Sequence, residues 1–282
     1  MLRIIGTIFA ALLGLCFGSF LNVCLSRWPA GESVVHPRSH CRACGRTLAW
    51  WENVPLVSWV ALRGRCRGCG VWIRVRYPLV EAAVGVTWAL MAWKSWKAFL
   101  PVEYAAGMMF FLWLLIGLAV LDSEYLWLPD AMTLTGIGVG FLWWLIQGEQ
   151  VGWALHVPSD RWGDAKGIGM RLLAIAISAT IILIIRWIYW LIRRREGMGL
   201  GDAKLMAMLA AWLGLEGALL SLFLGVVLGA VYAVGTLMMR SRRGEGSWAT
   251  AQLPLGTFLC IGGIVSALWG QSIIGAYLRL FP

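Results

Sequence analysis

Long, continuously apolar stretches alternate along this chain with short polar or arginine-rich connections. The apolar stretches fall at about residues 4–25, 78–96, 103–122, 129–147, 171–192 and 255–278, and a further run extends from Ala203 to Met239. Each of the first six has about the length a helix needs to cross a hydrocarbon core of about 30 Å. The run of 37 residues from Ala203 to Met239 would make a helix of about 55 Å, too long for one crossing. Gly214-Leu-Glu-Gly217 is its natural fold point, which divides it into two short spans. Membrane-spanning β-strands would alternate apolar and polar positions, and these stretches do not. The pattern predicts an all-α polytopic membrane protein with about eight transmembrane helices.

Residues 26–77 break the pattern with a polar segment between the first two spans. The predicted organisation is a first transmembrane helix over 1–25, a small cytoplasmic domain over 26–77, and a transmembrane domain over 78–282. Composition agrees. Hydrophobic residues make up 60% of the 282 positions and charged residues 13%, with a mean hydropathy of +0.75; a soluble domain carries about 25% charged residues. The first apolar run lacks the small-residue cleavage pattern of a secretory signal, so it reads as a retained span.

Charge then orients the chain. Residues 26–77 hold nine arginines against Glu32 and Glu52. Arg193, Arg194 and Arg195 follow the fifth span, and Arg240, Arg242 and Arg243 follow the seventh. With eight spans these three connections share one side, which the positive-inside rule makes the cytoplasm. Both termini then lie outside. A net charge of +10 would point to nucleic acid in a soluble protein. Here it reports loops beside anionic lipid, and no nucleic-acid partner is expected.

Four of the seven cysteines form two pairs in the polar segment, Cys41-Arg-Ala-Cys44 and Cys66-Arg-Gly-Cys69. Two Cys-x-x-Cys turns complete a four-sulfur cage, and the 21 residues between the pairs match zinc-ribbon spacing. Gly45 and Gly70 follow the pairs and suit tight turns. Structural zinc is the expected ligand, with iron as an alternative. Two disulfides are the plainer reading, against which the cytoplasmic placement argues. Cys16, Cys24 and Cys260 lie in apolar runs and read as small core residues.

Two carboxylates, Asp122 and Asp202, mark span ends that this topology brings to the same membrane face. Taken singly, Asp202 is a helix N-cap and Asp122 an interfacial residue. Together they suggest more. Gly197, Gly199 and Gly201 remove side chains beside Asp202 and permit close backbone approach. Two carboxylates in a partly desolvated site cannot both ionise cheaply, so one keeps a proton while the other acts as a base. Such a pair can activate water and protonate a departing amide nitrogen. Lys204 is placed to tune Asp202 or to meet lipid phosphate. Asn22, deep in the first span, either lines a cleft or bonds another helix.

These motifs together resemble the type IV prepilin peptidases, the A24 aspartic peptidases that serve pilus and type II secretion systems. The resemblance runs nearly end to end. It is carried by Gly18-Ser-Phe-Leu-Asn-Val-Cys24 with Arg27-Trp-Pro29, by the two cysteine pairs, and by Trp51-Glu-Asn-Val-Pro55-Leu-Val-Ser58-Trp59. Leu62-Arg-Gly64-Arg-Cys66 and Arg76-Tyr-Pro-Leu-Val-Glu81 extend it. So do Leu121-Asp122-Ser-Glu-Tyr-Leu-Trp-Leu-Pro129-Asp130, Gly199-Leu-Gly201-Asp202 and Leu253-Pro-Leu-Gly-Thr-Phe258. Leu255 stands where the family often has Phe, and the first cysteine pair lacks a common proline. The resemblance implies a bacterial inner-membrane enzyme with two activities. It cuts the basic leader from a prepilin or pseudopilin at the cytoplasmic face. It then methylates the new N-terminal amine with S-adenosylmethionine. It implies Asp122 and Asp202 as the protease pair, with Gly199 and Gly201 as supporting motif. Gly64 and Glu81 are its candidates for methyl transfer, and the four cysteines hold zinc. The rival readings are a transporter or channel with a zinc-stapled gate, and a presenilin-like intramembrane protease.

Overall fold

A computed structural model of the chain describes residues 1–154, 165–194, 199–243 and 253–280. Gly197, Arg195 and the side chains from 240 to 252 lie outside the described residues, so the readings that used them are not addressed by it. The described residues are helical apart from turns, loops and two isolated β-bridges. The helices are α1 (Leu2–Arg27), the short α2 (Val57–Ala61), α3 (Arg76–Lys97), α4 (Val102–Tyr125), α5 (Asp130–Ala154), α6 (Ala165–Arg193), α7 (Leu200–Arg243) and α8 (Leu255–Leu278). Among the described residues five stretches are long and apolar enough to cross a membrane: Leu2–Ala30, Val102–Tyr125, Ala165–Arg193, Leu200–Met239 and Leu255–Leu278; α3 and α5, which correspond to the predicted spans at 78–96 and 129–147, are not among them. Many large side chains of the five stretches are exposed, including Ile4, Ile8, Leu12, Trp187 and Val231. In water such surface would be costly; against lipid it is the expected exterior.

The chain divides into two compact units, Met1–Gly117 and Leu118–Pro282. In the first, α1 and α3 pack through small residues. A Cβ on Gly14 would lie 3.0 Å from the Gly85 Cα, and one on Gly18 would lie 2.7 Å from the Glu81 Cα. Such Gly-x-x-x-Gly spacing lets two backbones approach where lipid offers no hydrophobic drive for association. Asn22 settles on the helix-bonding alternative: its amide donates to the Tyr77 carbonyl at 2.9 Å.

In the second unit, α7 is interrupted where the sequence predicts a fold point. Gly214 has φ 76° and ψ −179°, which breaks the helical path, and glycine reaches this left-handed region without the Cβ penalty. The neighbours show that the chain reverses there. Beyond the break, Gly217 accepts a hydrogen bond from Ser266 of α8 at 2.9 Å, Gly225 abuts Leu259, and Gly229 faces Phe258. The second half of α7 therefore runs antiparallel to α8, back toward the level at which α7 begins. Carbonyls in the last turn before a break lose their helical partners. Arg171 of α6 supplies one, donating to the Ala210 carbonyl at 3.1 Å with its guanidinium 4.8 Å from the Trp144 ring centroid.

Candidate active site and metal centre

The second unit gathers four segments at one level: the end of α4, the loop 126–129, and the starts of α7 and α8. Asp122 lies in the last turn of α4 and is 6% exposed; Asp202 lies in the first turn of α7 and is 8% exposed. Eighty positions apart in sequence, the two are brought into one neighbourhood: Leu128 meets both Gly201, beside Asp202, and Gly256, which lies against Asp122. The N-cap reading of Asp202 also holds in part. Its carboxylate accepts the backbone N–H of Gly199, the residue before α7, as the returning half of a capping box does.

Asp122 is held more tightly. Its Oδ2 accepts the backbone N–H of Thr257 at 2.6 Å and lies 3.0 Å from the Thr257 hydroxyl. That hydroxyl is also 3.0 Å from the Ala119 carbonyl. Leu128 wedges between the two aspartate-bearing regions. A Cβ on Gly201 would lie 3.0 Å from the Leu128 Cβ, and one on Gly256 would lie 3.0 Å from the Leu128 Cδ1. The space at Gly201 is thus taken by Leu128, whereas Gly199 meets only the Gly201 nitrogen at 3.7 Å. Lys204 pairs with Asp130 at 2.6 Å. Gly256 and Thr257 lie in the Leu253–Phe258 motif and Leu128 in the Leu121–Asp130 motif, but no single-residue signal in the sequence marks their roles.

The first unit carries the cysteines. The two Cys-x-x-Cys turns are close duplicates. Gly45 N–H donates to the Cys41 carbonyl at 2.8 Å, and Gly70 N–H to the Cys66 carbonyl at 2.9 Å. Gly45 and Gly70 have φ 72° and 70°. The bridges His40–Thr47 and Arg65–Trp72 close both turns at matching positions. The four sulfurs lie within 4.8 Å of one another, and Cys41 and Cys69 are 3.8 Å apart at sulfur. Zinc–sulfur bonds of about 2.3 Å place tetrahedral sulfurs about 3.8 Å apart. All four thiols are free of disulfides. The Gly68 N–H donates to the Cys66 sulfur at 3.4 Å, a contact that favours the metal-binding thiolate. The donor set therefore fits a closed, structural metal site.

A buried carboxylate braces the first turn. Glu52 accepts Arg46 at 2.6 Å and the Ala49 N–H at 2.8 Å. The Arg46 guanidinium, then the Ala49 N–H, hold the Glu52 carboxyl below the usual carboxylate range. A depressed carboxylate contributes stability above its unfolded value of about 4.3, and loses it as pH falls through the folded value. Glu52→Gln should therefore render the loop more protease-sensitive than wild type at pH 7. The difference should vanish at low pH; limited proteolysis across pH, read with metal content, checks it.

Gly64 and Glu81 build the same loop. Gly64 has φ 67°, and a Cβ there would lie 2.9 Å from the Trp59 ring. Glu81 of α3 is buried and accepts the Leu56 N–H at 2.8 Å, at the start of α2.

Comparison with known proteins identifies the family. Residues 12–95 match the family model described as the bacterial peptidase A24 N-terminal domain, and residues 109–234 match the type IV leader peptidase family. The chain is 33% identical over 296 residues to a prepilin leader peptidase/N-methyltransferase of Stutzerimonas stutzeri, covering 96% of this chain and 93% of that one. A protein of the same name from Myxococcus xanthus is 37% identical over 249 residues, 88% of this chain and 68% of its own. One from Pseudomonas aeruginosa is 31% identical over 294 residues, 95% and 92% of the two chains. No solved structure matches the chain.

Proposed function

The chain belongs to the type IV leader peptidase family, and we propose that it removes the leader of a type IV prepilin or pseudopilin and methylates the new N-terminus. The observation that carries the peptidase half is the pair of buried carboxylates, Asp122 and Asp202, brought into one neighbourhood. In the proposed mechanism one aspartate takes a proton from a water as that water attacks the scissile carbonyl. The other, protonated, donates to the departing amine as the tetrahedral intermediate collapses. No metal or nucleophilic side chain enters this step. The mostly buried site suits a peptide bond delivered at a membrane edge, where low dielectric strengthens both proton transfers.

The finer features extend the same reading. Eight crossings follow if α1, α3, α4, α5, α6, α8 and the two halves of α7 all span the bilayer. The arginine distribution then puts the cysteine-bearing loop and the aspartates on the cytoplasmic side of the inner membrane. Zinc, held by Cys41, Cys44, Cys66 and Cys69, would staple that loop. S-adenosylmethionine would supply the methyl group. Gly64 meets the Trp59 ring and Glu81 the Leu56 N–H, so both support methyl transfer by shaping the loop, and no chemical step is routed through them. Among the rival readings, neither the transporter nor the presenilin-like protease gains an observation here.

The test is mass spectrometry of a prepilin incubated with the purified protein, with and without S-adenosylmethionine. Leader loss in both reactions, and an added methyl only with the donor, is the expected result. An intact prepilin after incubation overturns the proposal.

A further inference from the structure

The geometry points to the first turn of α8 as the seat of Asp122, with Gly256 and Thr257 as positioning residues for leader cleavage. The inference rests on the proposed role of Asp122 in the peptidase pair. α8 begins after Pro254, which provides no side-chain cap for the free N–H groups of the first turn. One of them, Thr257 N–H, is satisfied instead by Asp122 from α4 at 2.6 Å. Asp122 thus does for α8, from another helix, what an N-cap side chain does locally.

This contact is asymmetric in a useful way. A backbone N–H can only donate, so it fixes Asp122 Oδ2 as an acceptor. The Thr257 hydroxyl has one proton and two acceptors at 3.0 Å, Oδ2 and the Ala119 carbonyl. It can donate to Oδ2, or donate to Ala119 and leave the N–H to hold the carboxylate. Either way Oδ2 is occupied. Both of these contacts fall on Oδ2, and Oδ1 takes part in neither.

Gly256 sets the clearance. A Cβ there would lie 2.9 Å from the Asp122 Cγ, 3.0 Å from its Oδ2 and 3.0 Å from the Leu128 Cδ1. At 2.9 Å from the Asp122 Cγ an added methyl forces a shift, and the carboxylate can move away only by straining its contact with Thr257.

The experiment compares Gly256→Ala, Thr257→Val and Thr257→Ser for prepilin cleavage and for methylation of a pilin already lacking its leader. Gly256→Ala should lower kcat for cleavage by at least about tenfold with KM nearly unchanged, since small misplacements of reacting groups cost up to about 10²-fold. Thr257→Val, which keeps the N–H but not the hydroxyl, should lower kcat less, and Thr257→Ser should restore it. Methylation should persist in all three. Wild-type kcat in Gly256→Ala overturns the inference, as does a Thr257→Ser enzyme no better than Thr257→Val. Loss of both activities together would mark a general packing role and also overturn it. Failure of the wild-type protein to cleave would instead strike the proposed function itself.

Discussion

Asp122→Asn and Asp202→Asn should each reduce leader cleavage by about a thousandfold or more, within the range of about 10²–10⁴ ascribed to a positioned general acid or base. Asparagine keeps the shape and an acceptor oxygen, so it can still receive Thr257 N–H at position 122 and Gly199 N–H at position 202. It cannot shuttle a proton. The variants should therefore fold, insert and retain the metal while losing hydrolysis, and the double variant should be little worse than either single one because the two act as a unit. The measurement is single-turnover cleavage of a purified prepilin, with methylation of a leaderless pilin as the internal control. Normal cleavage by either variant ends the assignment of the pair.

Removing one thiolate has the second large effect. Cys41→Ser or Cys66→Ser should abolish stoichiometric zinc, expose the loop to protease and impair methylation. A segment of about 50 residues has little core of its own, whereas structural zinc contributes about 10–16 kcal/mol of apparent binding energy at neutral pH. Its apolar residues do not replace the metal: Trp50, Val57, Val60 and Trp72 are 77%, 64%, 67% and 56% exposed. Elemental analysis and limited proteolysis of the purified variants decide the matter. Unchanged zinc content in Cys41→Ser would rule out four-thiolate ligation.

Much of this was visible in the order of residues. Apolar runs located the long helices, with ends displaced by up to seven positions, because a hydrocarbon core demands length and composition together. The break in α7 was legible because Gly214 interrupts a run too long for one crossing. Topology suggested pairing Asp122 with Asp202, since it puts both span ends on one membrane face, whereas their lateral proximity comes from helix packing. The details that hold them were not legible. Thr257 reaches Asp122 across 135 positions, and Lys204 reaches Asp130 across 74. Such partners are set by the angles at which helices cross, on which hydropathy is silent. Glycine was informative about tightness and uninformative about its cause. Gly201 beside Asp202 suggested room for a ligand, and the structure fills that room with Leu128.

Leu128 has a consequence of its own. It presses on Gly201, next to one acid, and on Gly256, beneath the other. A hydrocarbon spacer that takes no part in proton traffic thus sits against the neighbours of both acids. Exchanging it for a slimmer or bulkier aliphatic group would alter the packing around the dyad without adding or removing an ionisable group.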